Sequence, residues 1–588
     1  MSKWILQRKA ADYATLSGKL KVDPVIVRLM VNRGLTTYEE MEEYLHPTLN
    51  NLPDPHLFAD MDEACELLME AIDEGQKIRV VGDYDVDGIM STYILTTALR
   101  EVGADVDYAV PNRMIDGYGI NPEMVQAAYD EGVSFIITCD NGIAAAPAIN
   151  LAKELGMTFV VTDHHEVPFE LAEDGITKIQ MLPNADAVVD PKRDDCNYPF
   201  KGICGAQVAW KLVDVLYEFL GIEKEKADAF LQFASIATVC DVMELKGENR
   251  ATVYHGIKAI ERTDNIGLNA LLARNELKDK PLSCYHLGFI IGPCLNASGR
   301  LDTAGRAIEL LMETDNAKAL AMANELVELN AERKAMTQTG IDKAKDQIEN
   351  SSLKNDKVLV IYIPELHESL AGIVAGRIRE NYCKPVLVIT DAEDGAKGSG
   401  RSIPAYNMFE ELTAVKDVFT KFGGHPMAAG VSLPKEKIDE LRTRLNQNCT
   451  LTEDDMQEII KIDCDMPLAY ITEGLIDSID LLAPFGTGNN KPLFALKNVP
   501  ILKMAYMGKD GQYLRITVET ENGGSMTALM FRGVEEFEKA VSNKYGQSAW
   551  QGLFSGSGQS VSMDIIYEPS INEFRGNRSV QIIIENFK

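Results

Sequence analysis

The sequence predicts an α/β multidomain chain: a parallel-sheet domain, a long linking helix, a second α/β domain and a C-terminal OB-fold-like β-barrel. Three observations carry this. Between residues 77 and 165, short β-branched runs alternate with helical patterns, and each run ends at polar residues. Residues 317–350 keep a helical pattern interrupted only by Gly340. After residue 455 the chain turns to short strand runs with little helical pattern.

Residues 1–55 read as an N-terminal helical extension, with "TTYEEMEEYLHP" ending at Pro47. Residues 56–215 carry the first α/β pattern. "DMDEACELLMEAIDEG" (60–75) has helical periodicity and stops at a glycine. "KIRVVGDYDVDG", "VDYAVPNR", "SFIITCDNG" and "TFVVTDHHE" are apolar strands that break into polar loops. Helices between such strands imply a parallel sheet covered on both faces. Ligands of these sheets bind at the carboxyl ends of the strands. Here those ends hold Asp83, Asp85, Asp87, Asp140, Asp163, His164 and His165. Residues 216–350 read as helical and include the long connecting helix. The second α/β block, 351–450, contains "DKVLVIYI", "KPVLVIT" and the glycine-rich segments "GSGRSI" and "FGGHPMAAG". The strand runs of 455–588 predict a small closed barrel.

Composition narrows the function classes. The 588 residues exceed one core, and the 46% apolar content is that of a water-soluble globular protein. No apolar run is long enough to span a membrane, and the first residues lack a signal-peptide pattern. The ten cysteines are scattered without a C-x-x-C pair, which fits reduced thiols in the cytoplasm. The net charge of −31 opposes general attraction to nucleic acid but leaves room for a local basic groove.

The D-x-D-x-D-G spacing of "GDYDVDG" also begins an EF-hand loop. Position 12 of such a loop should be a glutamate, and here it is Ile94; the loop also follows a strand. The calcium-sensor reading therefore fails. A solvated, helix-capping turn is the simpler alternative. It weakens because other strand ends are acidic or carry histidine, and a parallel sheet gathers them on one edge. Asp241, closing the apolar run "FASIATVCD", adds an acid that needs a partner. Carboxylates mixed with imidazole suit Mn²⁺ or Mg²⁺. Two such ions would activate water and clamp a phosphoryl group. The five histidines outside these motifs and outside "FGGHPMAAG" lack companions and read as structural.

Taken in order, "GDYDVDG", "PNRMIDGYG", "CDNG", "TDHH", "SIATVCDVMEL", "GPCLNASGR", "GSGRS" and "FGGHPMAAG" resemble the motifs of the bacterial RecJ exonucleases of the DHH phosphoesterase superfamily. "LLAPFGTGNNKPLF" resembles the start of the RecJ OB-fold domain. The resemblance covers nearly the whole chain. It implies a DHH domain at 56–215, a DHHA1 domain at 351–450 and an OB-fold at 455–588. It implies that Asp83, Asp85, Asp87, Asp140, His164 and Asp241 hold a manganese or magnesium pair. His165, Asp87 and Asp140 would be catalytic. Arg113, Arg300, Ser399, Gly400, Arg401 and His425 would meet DNA phosphates.

RecJ proteins digest single-stranded DNA 5′→3′ to 5′-mononucleotides in recombination and repair. The resemblance thus implies single-stranded DNA, single-strand-binding protein and a DNA helicase as partners of a cytoplasmic monomer. Arg515, Arg532, Phe574, Arg575 and Arg578 are candidate strand contacts of the OB-fold. Arg377 reads equally as a DNA contact or a helix-surface charge. Two rivals stand beside this reading: a DHH oligonucleotide or cyclic-dinucleotide phosphodiesterase, and an inactive DNA-binding scaffold. Two departures from the family pattern are Gln207 in "CGAQVAW", where a small residue is common, and the strong acidity.

Overall fold

The computed structural model describes residues 2–113, 117, 119–172, 174, 177–301, 303–556 and 560–588. Residues 114–116 and 118 of the "PNRMIDGYG" segment lie outside the described residues. The chain forms two compact units, Leu49–Gln457 and Met1–Thr48 with Glu458–Lys588.

The larger unit opens with five strands: β1 (Lys77–Val81), β2 (Asp105–Ala109), β3 (Phe135–Cys139), β4 (Thr158–Thr162) and β5 (Ala187–Val189). They lie in the order β2-β1-β3-β4-β5, and every pairing is parallel. Side chains alternate between two cores. Ile78, Val80, Phe135, Ile137 and Val160 face one, and Val81, Ile136, Phe159 and Val161 face the other. Each buried Val, Ile or Phe contributes about 1.5–3 kcal/mol. The chain order reverses between β2 and β3 around β1, so the crevice at the carboxyl ends of β1 and β3 is the switch point where such sheets bind ligands.

Helices α1 (Val86–Glu101), α2 (Gly205–Phe219) and α3 (Leu231–Cys240) pack together against this sheet, and α4 (Gly292–Leu301) follows. Helix α5 (Asn316–Glu349) is the predicted linker. Its Ala319, Ala323 and Leu326 enter the core of the first domain, whereas Ile341, Ala344 and Ile348 enter that of the second. In the second domain, β6 (Leu359–Tyr362), α6 (Ala371–Tyr382), β7 (Val386–Ala392), β8 (Gly395–Arg401), β9 (Lys421–His425) and β10 (Ala428–Leu433) follow one another. The sheet order is β9-β10-β8-β7-β6, and only β6 and β7 run parallel.

The smaller unit is a barrel of β11 (Phe494–Met507), β12 (Tyr513–Glu519), β13 (Ser525–Met530), β14 (Val561–Phe574) and β15 (Asn577–Phe587). Strand β11 pairs with both β12 and β14, and β13 runs parallel to β15, which closes the ring. Two helices, Val534–Tyr545 and Gln547–Ser555, fill the connection where little helix was expected.

The N-terminus departs from a purely helical extension. Lys3–Leu6 is a strand, paired in parallel with Ile459–Ile462. Ile26, Leu29 and Met30 share a core with Leu475 and Phe494. A four-residue strand whose partner lies at the far end of the chain leaves no local pattern to read. Among the described residues, no helix is long and apolar enough to cross a membrane.

Candidate metal centre and anion cleft

Strand β1 ends at Val81, and the chain turns at once into α1. Asp85 is the N-cap: its Oδ1 accepts the amides of Asp87 (2.9 Å) and Gly88 (3.2 Å). Gly88 is required here, because a Cβ would lie 2.3 Å from the Asp83 carbonyl oxygen. This close turn drives Asp83 inward, where it is 2% exposed and its Oδ1 has no hydrogen-bond partner among the described residues. Burial, then the charge of Asp85, pushes the Asp83 carboxyl up to about 8. Burial and Asp87 likewise raise Asp85.

Asp87 is held from across the site. Its Oδ2 accepts the amide of Gly205 (2.6 Å) and its Oδ1 that of Ala206 (2.8 Å), the first amides of α2. A carboxylate at a helix N-terminus is stabilised by the free amides and the helix dipole. Asp140, just after β3, has φ +60, a conformation Asp tolerates better than most residues. A Cβ on Gly205 would stand 2.7 Å from the Asp140 Cβ, so only glycine lets the two segments approach. Burial first, then Asp87, Asp85 and Asp83, hold Asp140 well above the usual carboxylate range.

His164 closes the cluster. Its Nε2 lies 3.0 Å from Asp140 Oδ1, 3.4 Å from Asp87 Oδ2 and 3.9 Å from Asp241 Oδ2. Burial pushes its pKa down. Asp241 caps the end of α3, and burial, then Asp87 and Asp85, lift it to about 8.

His165 points differently. Its Nδ1 lies 2.7 Å from Asp163 Oδ1, which also accepts the amides of His164 and His165. Burial alone would lower His165; the bond to Asp163 and the surrounding acids outweigh it and raise it to about 9. Burial would raise Asp163, yet His165, His164 and the Ile143 amide bring it below its ordinary value. Asp163 thus orients His165.

The potential ligand atoms fall into three overlapping sets: Asp83, Asp85 and Asp140; Asp87, His164 and Asp241; and Asp140, Asp163, His164 and His165. Within each set the atoms lie within 4.8 Å of one another. All six acids and histidines expected to bind metal meet at this corner. Sequence reasoning passed over Asp190, which ends β5 wholly buried, with its Oδ2 unpaired among the described residues. Burial, then Asp163, raises it to about 7. The segment "AVVD" repeats the apolar-run-then-acid theme, but its three-residue strand is too short to show a period.

Beside the corner opens a cleft of about 580 Å³. Arg113, Arg300, Arg401, Lys397 and Lys421 line it, with Ser399, and Glu368 is its one acidic lining residue among the described residues. Burial, then Arg113 and Arg333, pushes Arg300 down to about 10. Its Nη1 donates to the Ser369 carbonyl at 2.8 Å. Burial and Arg113 lower Arg401, whose Nη1 reaches Ser399 Oγ (3.0 Å) and the Gly400 carbonyl (2.8 Å). The Arg113 guanidinium lies 4.8 Å over the ring of Tyr84, the residue between Asp83 and Asp85, so cleft and corner adjoin.

Two expected phosphate contacts lie elsewhere. Gly400 is buried in β8, where a Cβ would meet Met408 at 3.2 Å, and His425 is exposed at the end of β9. Neither lines the cleft; Gly400 faces Met408 and Leu387 instead. Arg377 pairs with Glu380 at 3.0 Å on an exposed helix face. In the barrel, Arg515 and Arg532 are exposed, Phe574 is 63% exposed at the β14–β15 tip, and Arg575 lies 5.2 Å over its ring. Arg578 is bound by Asp477 at 2.7 Å.

Known proteins share this architecture. Family models match at residues 77–238 (DHH family, N-terminal domain), 355–450 (DHHA1 domain) and 462–586 (RecJ OB domain). The chain is 33% identical to the single-stranded-DNA-specific exonuclease RecJ of Bacillus subtilis over 589 residues, 99% of this chain and 70% of that protein. It is also 33% identical to the Escherichia coli protein of that name over 602 residues, 99% of this chain and 98% of that one. The crystal structure of Thermus thermophilus RecJ in complex with Mn²⁺ superposes with a TM-score of 0.82 at 26% identity, covering 100% of this chain and 79% of that one. With 33% identity over 99% of this chain to both relatives, and each of the three domain models met in its place, the chain belongs to the RecJ family of single-stranded-DNA-specific exonucleases.

Proposed function

We propose that the protein is a metal-dependent exonuclease that degrades single-stranded DNA from the 5′ end and releases 5′-mononucleotides. One observation carries this reading: a buried corner crowded with carboxylates and two histidines adjoins a cleft lined by three arginines and two lysines. The acids fit a pair of divalent cations. Asp83 keeps a buried oxygen without a hydrogen-bond partner among the described residues, and burial with mutual repulsion raises Asp83, Asp85, Asp140 and Asp241. Asp83, Asp85 and Asp140 would hold one ion, and Asp87, His164 and Asp241 the other. Asp140 also touches His164 at 3.0 Å, so the two ligand sets adjoin through it. A carboxylate-rich set with imidazole suits Mn²⁺ or Mg²⁺. The relatives from Thermus thermophilus carry these ions in their structures. When bound, the pair supplies Lewis acidity, acidifying a water and neutralising charge on the scissile phosphate.

The chain's own residues do the rest. Asp163 keeps His165 protonated near neutral pH, so its ring presents positive charge at the rim of the corner. Arg113, Arg300, Arg401 and Ser399 grip the phosphates of the terminal nucleotides, in a geometry suited to arginine forks. The barrel binds the strand without sequence preference through Phe574, Arg575, Arg515 and Arg532. Residues 56–215, 216–350, 351–450 and 455–588 divide the labour as catalytic, connecting, phosphate-binding and strand-binding parts. The OB domain and the complete ligand set speak against a dinucleotide phosphodiesterase and an inactive scaffold. The family resemblance supports a cytoplasmic monomer that works with single-strand-binding protein and a DNA helicase, and ten free cysteines agree with a reducing compartment.

The test is a time course on 5′- and 3′-labelled single- and double-stranded DNA, with Mn²⁺ or with chelator. Mononucleotides should leave from the 5′ end of single strands only when metal is present. Chelator-resistant cleavage, or release from the 3′ end, refutes the reading.

A further inference from the structure

Gln207 is wholly buried in the first turn of α2, directly after the two residues whose amides hold Asp87. A buried amide must satisfy two N–H donors and an oxygen. Gln207 satisfies all of them with side chains. Its Nε2 donates to Thr238 Oγ1 (2.9 Å) and to Asn249 Oδ1 (2.6 Å), and its Oε1 accepts from Thr252 Oγ1 (3.3 Å). Asn249, also wholly buried, donates onward to the carbonyls of Gly202 (2.7 Å) and Glu244 (3.0 Å).

Asp241 lies between two residues that this network grips, Thr238 and Glu244. The residue after it, Val242, has φ +60. That conformation strains a β-branched residue, and strained turns persist only when the surroundings hold them. Val242 is 64% exposed, so its own side chain is not what holds the turn. Backbone bonds from Met243 to the Thr238 carbonyl (3.1 Å) and from Val242 to the Val239 carbonyl (3.3 Å) close the turn, and the hydrogen bonds from Gln207 and Asn249 anchor it at Thr238 and Glu244.

We propose that Gln207 is a positioning residue that locks the Asp241 turn to the Asp87 clamp, so that both carboxylates meet one cation together with His164. It touches neither carboxylate and acts through Thr238 and Asn249. The proposal rests on the metal-centre reading above.

The test is Mn²⁺ affinity of the full chain by titration calorimetry, with metal-free thermal unfolding measured alongside. Gln207→Met keeps the length and loses the hydrogen bonds; it should weaken Mn²⁺ binding by about 10-fold, the usual scale for groups that orient metal ligands. Val242→Gly in that background should recover part of the loss, because glycine relieves the strained turn. Thr238 supplies a second, independent comparison. Thr238→Ser keeps the hydroxyl and should bind Mn²⁺ like the parent, whereas Thr238→Val keeps the shape and should bind about 10-fold more weakly. A role in packing alone gives the reverse order, with Ser worse than Val, and overturns the proposal. So does parental affinity in Gln207→Met. If Asp140→Asn itself binds Mn²⁺ like the parent, the metal-centre reading falls instead.

Discussion

The acidic corner and the cationic cleft are opposite in charge and alike in physics. In the corner, burial and neighbouring carboxylates lift Asp83 and Asp241 to about 8. In the cleft, burial and neighbouring guanidiniums press Arg300 down to about 10. Elsewhere the chain pairs its inward charges. Arg79 meets Asp107 at 2.7 Å and Glu131 at 2.6 Å, and buried Lys211 meets Glu248 at 2.6 Å. The fold therefore matches inward charges one to one in those places, but at the corner and the cleft it gathers several groups of one sign. Crowding like charges in a buried place costs several kcal/mol, so such places mark where ligands of opposite sign complete the structure. The corner is complementary to cations and the cleft to phosphate. The net charge of −31 averages over both and conceals the cleft.

The comparison breaks most sharply at Asp140. Asp140→Asn keeps a side chain that accepts φ +60 but removes the carboxylate shared by two of the candidate ligand sets. Loss of several kcal/mol of charge stabilisation should lower kcat at least about 10³-fold. Strand binding, measured by fluorescence anisotropy, should stay within about 3-fold if the cleft binds independently. Asp87→Ala is a poorer probe, because it also strands the buried amides of Gly205 and Ala206. It should cost about 1–3 kcal/mol of stability as well as activity. Unfolding curves that match the parent would contradict the helix-clamp role of Asp87.

On the cleft side, Arg401→Ala in the Asp140→Asn background should weaken binding of a single strand about 10–100-fold. The slope of log affinity against log salt should fall by about one ion. An unchanged salt slope would show that the cleft does not hold phosphate.

How much of this was legible depended on sequence distance. Four of the sheet's five strands could be read, because three of them run directly into acids, as in "VVGDYD" and "IITCDN". The parallel arrangement then required the acids to meet. The cleft was half legible: Arg113, Arg300 and Arg401 stood out as motif residues, but their convergence with Lys397 and Lys421 needs two domains folded together. Three features were not legible. The Lys3–Leu6 strand finds its partner at Ile459–Ile462, across the whole larger unit. Asp190 ends a strand of only three residues, too short to show a period. Gln207 read as a packing anomaly, because its role depends on Thr238 and Asn249, which belong to other helices.

A third, smaller effect separates the regions by pH. Asp83 and Asp241 hold protons up to about 8 in the fold, against an ordinary 3.8. Between those values the native chain binds protons that the unfolded chain has released, so metal-free stability falls as pH rises from about 4 to 8. His165, raised from 6.5 to about 9, acts in the same direction; its contribution is full below 6.5 and lost through 9. Metal-free Tm should therefore drop between pH 5 and 8.5, while Mn²⁺ should flatten the decline. Asp83→Asn should raise the metal-free Tm at pH 8 by about 2–4 °C. A metal-free Tm that climbs with pH would mean the corner is not starved of positive charge.

The smallest effects lie in the barrel, where the same rule of paired against unpaired charge applies at the surface. Phe574 is 63% exposed at the β14–β15 tip, with the Arg575 guanidinium 5.2 Å from its ring centre. A ring backed by a cation is a stacking platform for bases. Arg578, four residues on, already spends its guanidinium on Asp477 at 2.7 Å and Glu473 at 3.7 Å. If counter-charges mark what a ligand does not use, Phe574→Ala should weaken single-strand binding about 5–10-fold. Arg578→Ala should change it by less than about 2-fold, as expected where an exposed ion pair already occupies the side chain. Anisotropy titrations of the two variants at one salt concentration decide this. A larger loss from Arg578→Ala than from Phe574→Ala would show that the Asp477 pair opens for DNA, and that pairing in the free protein does not exclude a role in binding.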